Sequence, residues 1–355
     1  MLGATALLGL LGSVAILSLL DFGDDTDDCD TEEGAGETGE TPTTVEEIIL
    51  VENGTDHSGD AGRQAYLFDP EASGGIGASI DAGGGDDIVN LTRLGGGIGL
   101  VGGQVAGGAG NDAISVEGEQ STLSGGAGDD TILGELLASE VNGDGGNDSI
   151  SVVSGPSDAS TVNGGDGDDT IDGSGSDNIS LLGGAGNDSI TTEGGTPVGT
   201  GYRISADGGD GDDTLTHEVD VFPLTSQDPA FAPAFLTGGD GADAFELRLT
   251  SDNGVFSPSA EDPDVFETDA AVITDFEQGT DTLSFDLSGS LAGYSVMTGT
   301  LVEDTDAGST EIILRLSGGS LPDQDVRVTV ATTGLSWDDV SFIGTQPGTL
   351  TPVAA

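Results

Sequence analysis

The sequence predicts an all-β chain: a right-handed parallel β-roll (a β-solenoid) of glycine-rich nonapeptide repeats with a β-rich C-terminal cap. Three observations predict it. A nine-residue pattern occurs eight times between Ala82 and Glu246. Aliphatic residues keep the same interval of nine even where the glycines lapse. The 355 residues include 63 Gly and only 4% aromatics, too few large apolar side chains for an ordinary globular core of this size. A solenoid needs few, because each coil touches only its neighbours.

The clearest copies are GGAGNDAIS (Gly107 to Ser115), GGAGDDTIL (Gly125 to Leu133), GGDGDDTID (Gly164 to Asp172), GGAGNDSIT (Gly183 to Thr191) and GGDGDDTLT (Gly208 to Thr216). Looser copies are AGGGDDIVN (Ala82 to Asn90), GDGGNDSIS (Gly143 to Ser151) and GGDGADAFE (Gly238 to Glu246). Positions one, two and four are small, nearly always Gly, as a tight turn with positive φ requires. Position five is Asp or Asn except at Ala242. Position six is Asp throughout: Asp87, Asp112, Asp130, Asp148, Asp169, Asp188, Asp213 and Asp243. Position eight is always apolar, so positions seven to nine read as a short strand with one inward side chain.

Val105, Ile114, Leu123, Ile132, Val141 and Ile150 follow one another at intervals of nine, as do Ile80, Val89 and Ile98. The phase then drifts through Val162, Ile171, Ile179, Ile190, Ile204 and Leu215. Each nine is one strand plus one turn, and two make a coil of 18. Val105, Leu123 and Val141 should line one sheet; Ile114, Ile132 and Ile150 should line the other. Every full glycine-rich copy from Val105 to Leu215 then precedes the same sheet. One edge of the roll should carry the Asp turns and the other, with turns such as EGEQS and ELLASE, should be plain. Two exceptions are expected. The partial copy GSGSDNIS (Gly173 to Ser180) would put Asp177 on the plain edge. The copy at Asp87 falls out of phase, because Ile98 to Val105 spans only seven.

Residues 1–20 form an apolar segment without a positive n-region or a clean cleavage site, barely long enough to span a membrane. A membrane anchor or atypical signal, a retained hydrophobic leader and a mis-called start all stay open. Membrane contact is expected only through this segment. Residues 21–73 read as an acidic linker and N-terminal cap, with VEEIILV (Val45 to Val51) as a first strand and Tyr66, Leu67 and Phe68 capping the first coil. Cys29 is the only cysteine and forbids an internal disulfide. The roll proper covers 74–220. Val219 to Leu236 reads as a proline-interrupted loop over the open end of the solenoid.

Residues 221–289 hold the last repeat and a closing segment, AAVITDFEQGTDTLSFDLSG (Ala270 to Gly289), with Val272, Ile273, Phe276, Leu283 and Phe285 apolar and Asp275, Asp281 and Asp286 as polar partners. Residues 290–355 read as a β-rich cap. There EIILRL (Glu311 to Leu316) and VRVTVA (Val326 to Ala331) alternate as a strand pair would, Trp337 plugs the cap, and the uncharged tail TQPGTLTPVAA follows.

The repeats, followed by a GADAF copy and the VITDF closing segment, resemble the RTX (haemolysin-type) calcium-binding proteins exported by type I secretion. The resemblance covers roughly Ala82 to Gly289. It implies a calcium-binding β-roll, with Ca²⁺ as the bound ion, the type I secretion machinery as a partner and a loosely defined C-terminal export signal. It implies metal ligation by Asp87, Asp112, Asp130, Asp148, Asp169, Asp188, Asp213 and Asp243, with Asp177 as an addition, and by backbone carbonyls of the glycine turns. The chemistry agrees: hard divalent cations take oxygen ligands. A flexible glycine- and aspartate-rich linker, or a solenoid that uses Asp only for its turns, are the plainer alternatives.

Composition narrows the function. There are 65 acidic and six basic residues, for a net charge of −59. Almost nothing is available to neutralise phosphates, so nucleic acid is not expected as a partner. Such a charge opposes compaction unless counterions bind; two carboxylates about 4 Å apart repel by about 1 kcal/mol in water. An enzyme is not expected. There is no HExxH, no GxSxG and no Cys–His pair, and the two histidines, His57 and His217, read as surface residues. The resulting expectation is an extracellular calcium-binding module that folds after export. The alternatives are a calcium-stiffened adhesin with a cell-surface or matrix partner, and an enzyme with a pocket in the C-terminal cap lined by Arg315 or Arg327.

Overall fold

The computed structural model describes residues 45–69, 75–92, 99–155, 159–194, 203–221, 233–250, 265–289, 295–318, 321–344 and 347–354. The N-terminal apolar segment and Cys29 lie outside them. Among the described residues no helix occurs, and none therefore is long and apolar enough to cross a membrane. The fold is a parallel β-solenoid of two long sheets, one of 13 strands and one of 14. Successive strands of the chain alternate between them, so the chain winds as a flattened coil.

The apolar intervals become columns. In one sheet Tyr66, Val89, Ile114, Ile132, Ile150, Ile171, Ile190, Leu215, Phe245 and Leu283 lie in register across parallel strands. In the other, Ile80, Val105, Leu123, Val141, Val162, Leu181, Ala206, Leu236 and Ile273 do the same. All of these are buried and face one another across the narrow interior. Alternation along each strand turns every second residue inward, and burial of aliphatics at about 25 cal/mol per Å² drives the stacking.

Three expectations need correction. Ile179 does not continue the column; it pairs with Ser160 and Ile204, and Leu181 takes the column position. The strand Asn178–Ala185 is long enough to turn both inward. Tyr66 is no cap: it is fully buried in register between Ile49 and Val89, so the roll starts earlier than residue 74. The expected loop over the open end, residues 222–232, lies outside the described residues; the two ends of the stretch belong to strands. Val219 completes the strand Thr214–Asp220, and Ala234–Asp240 returns to the second sheet between Arg203–Asp210 and Val265–Ile273. Phe222 and Phe231 lie outside the described residues. Finally, His217 is buried, not on the surface.

The C-terminal end changes pairing. Glu311–Leu316 and Val326–Val330 pair antiparallel, with Ile312 opposite Val328 and Leu314 opposite Val326. Trp337 packs on Phe342, donates its indole N–H to the Thr351 carbonyl at 2.8 Å, and lies so close to Gly299 that a Cβ there would meet its ring at 2.7 Å. Arg315 holds Asp325, and Arg327 holds Glu267 and Glu311. Both guanidiniums thus bind carboxylates of this chain.

Candidate metal centre

All eight repeat aspartates stand on one edge of the roll, in one column. The backbone N–H of each position six donates to the carboxylate of the next coil: Asp87 to Asp112 Oδ1 at 2.7 Å, Asp112 to Asp130 at 2.7 Å, Asp130 to Asp148 at 2.8 Å, Asp148 to Asp169 at 2.7 Å, Asp169 to Asp188 at 2.8 Å, Asp188 to Asp213 at 2.7 Å and Asp213 to Asp243 at 3.0 Å. Asp87 is thus in phase after all. The ladder link from Asp87 to Asp112 is made despite the seven-residue interval.

The other carboxylate oxygen is the notable one. Oδ2 of Asp87, Asp112, Asp130, Asp148, Asp169, Asp188 and Asp213 is buried and has no hydrogen-bond partner. An unpaired buried charge is expensive, and repeating it coil after coil requires a compensating ion or proton. The position-one glycine shows what Oδ2 faces. A Cβ on Gly164 would lie 2.2 Å from Asp169 Oδ2 and 2.6 Å from the Gly183 carbonyl oxygen of the next coil. The same two oxygens crowd Gly107, Gly125, Gly143, Gly183 and Gly208. Position one is therefore glycine for space, not for φ; the positive φ values belong to positions two and four, such as Gly165 at 118° and Gly167 at 133°. A carboxylate oxygen and a carbonyl oxygen that face each other are both acceptors. Something carrying positive charge or a proton has to stand between them.

Burial raises these carboxyls: to about 7 for Asp87, Asp130 and Asp169, to about 6 for Asp112 and Asp213, and upward for Asp148, Asp188 and Asp243. The inter-coil N–H pulls each back towards its ordinary value, and neighbouring carboxylates push it further up.

The opposite edge carries a ladder of the same direction built from serine. Ser121 N–H donates to Ser139 Oγ at 3.1 Å and Ser139 N–H to Ser160 Oγ at 3.3 Å. Each hydroxyl has its own proton to spend: Ser121 Oγ donates to the Glu119 carbonyl at 3.0 Å and Ser139 Oγ to Leu137 at 2.9 Å. No acceptor is stranded there. Asp177 lies on this serine edge, half-buried and apart from the Asp column; Ser176 takes the ladder position beside it, accepting the Ser154 N–H at 2.9 Å.

A second, exposed ladder runs the other way. Position five accepts from the coil that follows: Asn111 N–H to Asp86 at 2.9 Å, Asp129 N–H to Asn111 at 3.1 Å, and so on to Ala242 N–H with Asp212 at 2.9 Å. Its members alternate strictly: Asp86, Asn111, Asp129, Asn147, Asp168, Asn187 and Asp212. Alternation keeps like charges two coils apart, roughly 9.6 Å at ordinary strand spacing, and so halves their repulsion.

Sequence reasoning missed how the column ends. Asp281 is its last member, accepting the Asp243 N–H at 3.0 Å, but its second oxygen accepts the Glu277 N–H at 2.7 Å and is satisfied. Asp275 likewise spends both oxygens, on the N–H groups of Gly238 and Gly239 at 2.9 Å each. At the other end stands Gln64, whose N–H donates to Asp87 Oδ1 at 2.6 Å. It belongs to a ninth nonapeptide, GDAGRQAYL (Gly59 to Leu67), with glycine at positions one and four and an apolar residue at eight. Arg and Gln at positions five and six hide it from a search for Asp.

Among the described residues no three His, Cys, Asp or Glu side chains gather round one point. A bound ion would thus take one carboxylate from a coil and fill its shell with backbone carbonyls. The residues fit a hard divalent cation on that basis: every donor is oxygen, the carboxylate oxygen is orphaned, and glycine leaves the space. In comparisons with known proteins, no family model and no curated protein matches this chain.

Proposed function

We propose that this chain is an RTX-type calcium-binding β-roll, secreted through a type I system, that completes its folding when calcium enters the Asp column outside the cell. One observation carries the reading: seven buried carboxylate oxygens in one column have no hydrogen-bond partner. A bound divalent ion supplies the positive charge that these oxygens and the facing carbonyls lack. The chain's own residues do the rest. Glycine at position one opens the space, the inter-coil N–H orients each carboxylate through Oδ1, and the aliphatic columns set the coil spacing.

In calcium-poor cytosol the acidic chain stays open. Outside, sites with Kd on the order of 10⁻⁴ to 10⁻³ M fill, and ligand at 100 times Kd adds about 2.7 kcal/mol per site. No catalytic role is proposed. Far-ultraviolet circular dichroism during a calcium titration, with magnesium as control, tests the reading. A cooperative gain of β signal with calcium is expected. The same compact β spectrum in chelator and in calcium would mean that the aspartates only shape turns.

A further inference from the structure

We propose that Gln64 and the Ala82 carbonyl form an additional divalent-cation site at the N-terminal end of the column, outside the Asp repeat. This rests on the calcium reading of the column. The Gln64 side chain is 3% exposed. Its Nε2 donates to Asp60 Oδ1 at 2.6 Å, which sets the amide orientation and leaves Oε1 as the free acceptor. Oε1 is buried and has no partner. A Cβ on Gly59 would lie 1.8 Å from the Ala82 carbonyl oxygen and 2.7 Å from Gln64 Oε1. Carboxylate and carbonyl crowd Gly164 and its counterparts in the same way, with a neutral amide oxygen here in place of the carboxylate.

The first coil keeps two of the inter-coil backbone links of the others, although Asp60 and Gly62, at positions two and four, do not take the positive φ of the later turns. Gln64 N–H joins the ladder through Asp87, and Gly84 N–H donates to the Asp60 carbonyl at 2.7 Å as Ala109 N–H does to Gly83 at 3.0 Å one coil later. What distinguishes it is charge. An amide carbonyl is an accepted calcium ligand, but it contributes no negative charge, and Arg63 adds a positive one on the same turn. The site should therefore be weaker than the Asp sites and fill last. The second coil supplies a contrast: its position one is Ala82, whose methyl occupies the space that glycine leaves elsewhere.

The test uses the full chain, with Gln64→Met, which keeps length and loses the oxygen, and Gln64→Asp, which restores the repeat. Calcium bound per chain is counted by equilibrium dialysis. Hydrogen exchange is followed in peptides covering 56–68 and, as reference, 107–134. Wild type should bind one ion more than Gln64→Met, and only peptides 56–68 should lose calcium-dependent protection in that variant. Gln64→Asp should keep the wild-type count and protect 56–68 at lower calcium. Equal counts and equal exchange in wild type and Gln64→Met would overturn the site. If Gln64→Met fails to fold, an unchanged calcium dependence of 56–68 in Gln64→Asp overturns it instead. No calcium uptake anywhere, 107–134 included, would refute the column reading itself.

Discussion

The backbone N–H of Asp148 donates to Asp169 Oδ1 at 2.7 Å, while Asp169 Oδ2, on the same carboxylate, is buried without a partner. One oxygen is structural and the other is unsatisfied. The two roles separate by mutation.

Asp169→Asn keeps an acceptor for the Asp148 N–H and turns an amide N–H₂ towards the Gly183 carbonyl. In chelator the variant should be more stable than wild type, by about 1 kcal/mol, the net worth of one new hydrogen bond. In calcium it should bind one ion fewer. Circular dichroism in chelator, where wild type lacks the compact β signal and the variant should regain part of it, checks the first and dialysis counts the second. A variant less stable than wild type in chelator would contradict the orphan-oxygen account.

Gly164→Ala puts a methyl 2.2 Å from Asp169 Oδ2 without any φ penalty. It should cost about 1–3 kcal/mol by overpacking and remove one calcium. Ala82→Gly does the reverse at Asp87 and should lower the calcium concentration at which that site fills. An unchanged count in Gly164→Ala and an unchanged calcium dependence in Ala82→Gly would show that the position-one space is not used.

Metal-free stability should fall as pH rises. Asp130 and Asp169 are pushed up to about 7 and Asp112 and Asp213 to about 6. Folding raises these values above those of the unfolded chain, so the folded state holds the extra protons. Their contribution is complete below about pH 4, near the ordinary carboxyl value, and is lost as pH rises through 6 to 7. The β signal in chelator should therefore be larger at pH 5 than at pH 8, and saturating calcium should abolish the difference. A β signal in chelator that grows with pH would refute this.

His217 acts with the opposite sign. Burial holds its pKa down at about 4, and its Nδ1 lies 2.8 Å from Thr192 Oγ1. The neutral ring stabilises the fold above pH 6.5, and that contribution is lost as pH falls towards 4, about 3 kcal/mol at 1.4 kcal/mol per unit. Relative to wild type, His217→Gln should gain stability between pH 7 and pH 4.5 in urea titrations at saturating calcium. Parallel pH profiles for the two proteins would show that the fold does not hold the His217 pKa below its unfolded value.

Local chemistry was legible in the sequence. The period of nine, the apolar position eight and the invariant Asp identify strand, turn and inward face, because side-chain alternation and turn conformation depend on neighbouring residues only. The gathering of the six aspartates from Asp112 to Asp213 on one edge followed from counting coils from Val105 to Leu215. Which residues meet across coils was a different matter. Consecutive members of the Asp ladder are 18 residues apart at Asp112 and Asp130 but 30 at Asp213 and Asp243 and 38 at Asp243 and Asp281, yet every link is a hydrogen bond of 2.7–3.0 Å.

Only the tertiary structure decided that Asp87 belongs to the column, that Gln64 begins it, and that Asp281 closes it with its second oxygen satisfied by the Glu277 N–H. The sequence by itself determined the coil. The stack was decided in space, because the ladder of N–H bonds keeps its register however many residues separate one coil's turn from the next.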